Sequence, residues 1–161
     1  LEPSLKSLPI EYSIFWRELT KDLIAWGRGD EASRLLAKEL ERRDDAILYY
    51  LRGLAEDSQG TVETAGKCFS QAIERDPRLS SAWLALGRLE LKTNRPEHAI
   101  AHLSRAVAIA PDDYETVYAL AVAHRLARTG EADRYMKKAE KLRVILERLK
   151  RPTESFARPR G

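Results

Sequence analysis

The sequence predicts an all-α fold, an α-solenoid of antiparallel helix hairpins with about three to four repeating units and a capping helix at its C-terminal end. Three observations carry this. Residues 46–79 align with residues 80–113 without a gap. Within each copy, apolar and small residues recur at i, i+3, i+4 and i+7, the spacing of one helix face. Each copy ends on a proline, Pro77 or Pro111, which cannot continue a helix. The composition agrees: 33% of the 161 residues are charged, with both signs mixed along the chain, and 43% are hydrophobic. That suits many exposed helix faces around a real core and is too apolar for a disordered chain.

In chain order, residues 1–12 are a lead-in. Residues 13–45 form a degenerate hairpin, in which Trp16, Leu19, Leu23, Gly27, Ala32, Leu36 and Leu40 fall on the repeat positions, while Glu39 and Asp44 stand where Ala and Pro are expected. Residues 46–79 and 80–113 are the two regular units. At their fourth position stand Tyr49 and Trp83, at the eighth Gly53 and Gly87, and at the twentieth Ala65 and Ala99. Phe69 and Leu103 hold the twenty-fourth position, Ala72 and Ala106 the twenty-seventh. Small residues on facing stripes let two helix axes approach, and the aromatic or leucine fills the hole between them.

Residues 114–150 repeat the pattern with Val117, Leu120 and Ala121, a loop through Gly130, and a second helix carrying Ala132, Met136 and Ala139, one residue short of the earlier copies. No breaker follows before Lys150, and Tyr135, Met136, Ala139, Leu142, Ile145, Leu146 and Leu149 form one apolar stripe, so this helix runs on as a cap. Residues 151–161 read as a disordered basic tail.

This spacing resembles the tetratricopeptide repeat, with a large residue at position four, small ones at eight, twenty and twenty-seven, an aromatic at twenty-four and Pro at thirty-two. The resemblance implies a right-handed superhelix whose first helices line a concave wall, and a non-catalytic adaptor or scaffold module that binds a protein or peptide partner there. The wall it implies presents Ile47, Tyr50, Leu54 and Asp57 from the second unit, and Ser81, Leu84, Arg88, Leu91 and Lys92 from the third. Glu115, Tyr118, Val122 and Arg125 come from the fourth. A mostly apolar and aromatic wall fits a hydrophobic segment, with Arg88, Lys92 and Arg125 free for flanking acids. Alternatively, the N-terminal segment or tightly packed neighbouring helices already cover these side chains. The chaperone-tail clamp found in one subgroup is disfavoured: its basic and amide positions hold Tyr50, Leu54, Ala85, Glu115 and Ala119 here.

Other function classes find little support. His98 and His102 share a helix face at i, i+4, but no third metal ligand stands nearby, and they read as solvated or partly packed. His124 reads as a packing residue with one hydrogen bond. Cys68, the single cysteine, allows no internal disulfide and lacks a base beside it in sequence. The glycines fall singly in helices and turns rather than in a phosphate loop, and the acid pairs Asp44, Asp45 and Asp112, Asp113 precede helices as caps. No catalytic site, metal or cofactor is expected. The net charge of +3 gathers near the C-terminal end, at Arg148, Lys150, Arg151, Arg158 and Arg160, which disfavours a nucleic-acid surface on the repeats. Self-association through the long final helix is the competing function, with an RNA-binding array behind it. No stretch is long and apolar enough to span a membrane, and the opening residues lack a signal-peptide pattern. The chain starts at Leu1 rather than Met and reads as part of a longer protein, with the cytoplasm as the default compartment.

Overall fold

The computed structural model describes residues 10–150. The expected basic tail and all but the end of the expected lead-in lie outside the described residues. Eight helices follow one another among the described residues: α1 (Ile10–Ala25), α2 (Gly29–Leu40), α3 (Ala46–Ser58), α4 (Val62–Arg75), α5 (Ser80–Lys92), α6 (Pro96–Ile109), α7 (Tyr114–Leu126) and α8 (Ala132–Lys150). Helix α1 begins at Ile10, inside the stretch read from sequence as lead-in.

Each odd-numbered helix pairs with the even-numbered one after it, and each even-numbered helix packs on the next odd-numbered one. The first helices α1, α3, α5 and α7 also touch one another in succession, whereas the second helices α2, α4, α6 and α8 do not. A stack whose first helices lie closer than its second helices must bend, and the first helices take the concave side.

The hairpins interlock where the repeat pattern alternates small and large. A Cβ added at Gly53 would stand 2.4 Å from the Phe69 ring, and one at Gly87 would stand 2.5 Å from Leu103 Cγ. Phe69, Leu103, Ala72 and Ala106 are buried, and Ala139 is buried in the last hairpin, as the one-residue deletion there requires. Every hairpin turns through a left-handed residue at its fifteenth position: Gly27 (φ 72°), Gly60 (φ 76°), Asn94 (φ 57°) and Arg128 (φ 55°). Glycine and asparagine accept this conformation readily, arginine at a cost. The eleventh and sixteenth positions then tie each later turn. Thr61 donates to Glu56, Arg95 pairs with Glu90 at 2.8 Å, and His124 Nδ1 meets Thr129 Oγ1 at 2.6 Å. Asp45 caps α3 by accepting from the amides of Ile47 and Leu48, and Asp113 caps α7 by accepting from Thr116 N.

Candidate partner-binding wall

The concave wall is built from α3, α5 and α7, with Arg17 of α1 reaching it from the N-terminal end. Their first-helix positions point inward because the opposite faces carry the buried stripes Leu48, Leu51, Ala55 and Ala82, Leu86, Leu89.

Ile47, Tyr50 and Leu54 are half-buried and lie against the core cluster of Leu36, Leu48 and Leu51. Tyr50 and Leu54 also touch the next cluster, around Phe69, Leu86 and Leu89. Leu84 and Leu91 are half-buried against Leu103, Ala119, Leu120 and Ala123. Neighbouring helices thus cover part of the apolar wall. A hollow of about 200 Å3 remains between α3, α5 and α7, where Tyr50, Phe69, Ser81 and Leu84 meet Arg88 and Glu115. Burial pushes the Tyr50 phenol above its ordinary value, although Arg17 works against it. The Arg17 guanidinium sits 6.0 Å from the Tyr50 ring centre.

The charges on the wall are arranged otherwise than the sequence reading supposed. Arg88 is 3.0 Å from Glu115 and Lys92 is 2.7 Å from Asp57. Both cations already hold carboxylates of the wall itself, because a first helix brings its bases level with the acids of its neighbours. Each successive pair of first helices is thereby bridged on the concave side: α1 to α3 by Arg17 and Tyr50, α3 to α5 by Asp57 and Lys92, and α5 to α7 by Glu115 and Arg88. Arg125 is exposed and has no ion pair among the described residues. On the same helix, Tyr118 is 44% exposed and stacks on Tyr114 with ring centres 5.8 Å apart, and half-buried Val122 lies between Tyr118 and Arg125. The uncommitted part of the wall is therefore Tyr118, Val122 and Arg125. Arg17 occupies the same repeat position as Tyr50, one unit earlier, which brings it to the wall.

His98 is exposed, while His102 tucks against Trp83 with ring centres 5.9 Å apart. His124 stacks on Tyr135 at 5.2 Å. Cys68 lies on a second helix with its thiol buried, and burial raises its pKa, which keeps it protonated. No group of three or more metal-ligating side chains occurs among the described residues. None of the described helices is long and apolar enough to cross a membrane.

Two family models, both of the tetratricopeptide repeat, match residues 20–77 and residues 80–123, together more than half of the chain. The chain is a tetratricopeptide-repeat domain. Such a fold is a protein–protein interaction module. Among curated proteins, this repeat domain is 26% identical over 82 residues to the peroxisomal targeting signal receptor of Komagataella phaffii, which covers 51% of the chain but 14% of that relative. The chain thus spans a small part of the relative's length. Among solved structures, MamA superposes with a TM-score of 0.74 at 20% identity, over 84% of this chain and 81% of that one. A thermophilic TPR protein of Thermus thermophilus superposes with a TM-score of 0.68 at 20% identity, over 81% of this chain and 74% of that one. At that identity, the likeness speaks for the solenoid architecture.

Proposed function

We propose that this tetratricopeptide-repeat domain is a non-catalytic adaptor that holds an apolar or aromatic segment of a partner protein against its concave wall. The observation carrying the reading is the stripe Tyr118, Val122 and Arg125 on α7, which begins one turn along the helix from Glu115, a residue lining the hollow beside Tyr50 and Leu84. It offers an exposed ring, an aliphatic contact and a cation with no ion pair among the described residues, while Arg88 and Lys92 are held by carboxylates of the wall itself. An extended or helical segment would place an apolar anchor in the hollow and one carboxylate beside Arg125. A likeness to a targeting-signal receptor is consistent with a segment of another protein as the ligand. Ile47, Leu54, Leu91, Arg88 and Lys92 shape this wall more than they contact the ligand, since each is packed or paired.

The test is selection of peptides from a display library on the folded domain. Selected sequences carry an aromatic or large aliphatic anchor and bind at least about tenfold more weakly to Tyr118→Glu, Arg125→Glu, with helical circular dichroism unchanged. Tyr118 and Arg125 are cleaner probes than Leu84, whose partial burial would confuse lost binding with lost fold. Equal binding to the altered wall overturns the assignment.

A further inference from the structure

The seventh position of a first helix is leucine in three of the four hairpins. Leu19 packs on the cluster of Leu23, Ala32 and Ala55, Leu86 is 8% exposed and Leu120 is 0% exposed. In α3 the same position holds Arg52. A guanidinium thus stands where the repeat closes its core with an aliphatic side chain, which costs stability unless its N–H groups find acceptors. Within the chain they find none: Arg52 makes no hydrogen bond among the described residues, and its Nε is buried without a partner. Its ion pair with Glu56, one turn along the helix, spans 4.0 Å, too long for a hydrogen bond.

Arg52 lines a hollow of about 570 Å3 between α2, α3 and the turn into α4, within the range of roughly 300–1,000 Å3 that ligand pockets occupy. Its side chain is 31% exposed, so the guanidinium is reached from solvent. The other charged groups of the hollow are already engaged. Arg34 bonds Asp30 at 2.7 Å, and Glu56 accepts from the hydroxyls of Ser33 and Thr61. Walls so polar do not suit an apolar anchor. They suit a ligand that brings two acceptor oxygens to the planar fork of Arg52, whose donors are unused. Asp30 and Glu56 decide which oxyanion fits: each additional negative charge on the ligand faces both carboxylates, so a singly charged carboxylate is favoured over a phosphate dianion.

We propose that the hollow between α2 and α3 is a second binding site, which takes a ligand carboxylate on the guanidinium of Arg52. It shares no residue with the hollow of the concave wall, so it adds to the adaptor reading and does not depend on it. The carboxylate belongs either to a small molecule or to an acidic side chain of a partner protein, and the chemistry at Arg52 is the same for both.

Amide chemical-shift titration of the full chain with acetate at fixed ionic strength tests this, with inorganic phosphate titrated alongside where it is a dianion. Acetate gives saturable shifts at Ser33, Arg52 and Thr61, and phosphate binds more weakly. Arg52→Leu abolishes the acetate shifts and raises the urea midpoint, because it restores the leucine of the other hairpins and removes a buried N–H without a partner. Binding lost while stability is gained cannot be misfolding. Arg105→Gln, at an exposed cation of α6, changes neither. The blocked peptide acetyl-Ala-Glu-Ala-amide separates the two sources: binding at least about tenfold tighter than acetate assigns the carboxylate to a partner protein, and equal or weaker binding assigns it to a small molecule. Shifts that fail to saturate, shifts that survive Arg52→Leu, phosphate bound more tightly than acetate, or a fold weakened by Arg52→Leu each overturn the proposal.

Discussion

Lys92 Nζ lies 2.7 Å from Asp57 Oδ1, joining α5 to α3 across the concave wall. The pair is partly exposed, so its contribution to stability is about 0–1 kcal/mol. Lys92→Glu sets two carboxylates together and lowers the urea midpoint slightly at low salt. The deficit shrinks as salt screens the repulsion. A loss that persists unchanged at high salt means that the bridge does not act electrostatically.

Two helical glycines should respond in opposite directions. Gly53 has the Phe69 ring where a Cβ would go, so Gly53→Ala destabilises by about 1–3 kcal/mol through overpacking. At Gly66 a Cβ would meet only Leu89 Cδ2, at 3.4 Å. Gly66→Ala therefore stabilises by about 0.5–1 kcal/mol, the ordinary gain in helix propensity. Thermal unfolding of the two variants shows whether the interlock at the eighth and twenty-fourth positions is as tight as described.

Arg128 turns the last hairpin in the left-handed conformation that Gly27 and Gly60 supply elsewhere. Arg128→Gly stabilises by about 1 kcal/mol, since glycine removes the Cβ clash at φ 55°. The reverse change, Gly60→Ala, costs a similar amount. Chemical denaturation of both variants measures this directly.

Much of this architecture was legible in the sequence because the repeat leaves its marks on side-chain size. Gly53 with Phe69 and Gly87 with Leu103 are visible as small and large residues at constant offset, and the prolines close each unit. The charge pattern of the wall was not legible. Asp57, Lys92, Arg88 and Glu115 could each be placed on the inner face, but pairing them needs the spacing between successive first helices, which superhelix curvature sets and no single helix encodes. For the same reason, sequence alone could not separate half-buried Leu84 from exposed Tyr118. The left-handed turns at Asn94 and Arg128 were hidden because neither residue advertises its conformation as glycine does.

His102 Nδ1 is buried without a hydrogen-bond partner, and burial lowers the imidazole pKa, against the opposing pull of Glu90 and with the help of His98. The folded chain keeps this ring neutral while the unfolded chain takes a proton near the ordinary value of about 6.5. The unfolded state then binds more protons, so stability falls as pH drops below that value and is insensitive to this group above it. In urea titrations from pH 8 to 5, His102→Gln shows a shallower fall than the native chain. Parallel curves mean that His102 is not the group responsible.

Ligand recognition on the first-helix wall, as proposed, is read by amide chemical-shift mapping with a library-selected peptide. The shifted amides are expected to cluster on α3, α5 and α7, around Tyr50, Leu84, Tyr118 and Arg125, with the second helices quiet. Shifts concentrated on α2, α4, α6 and α8, with Tyr118 and Arg125 unmoved, would contradict it.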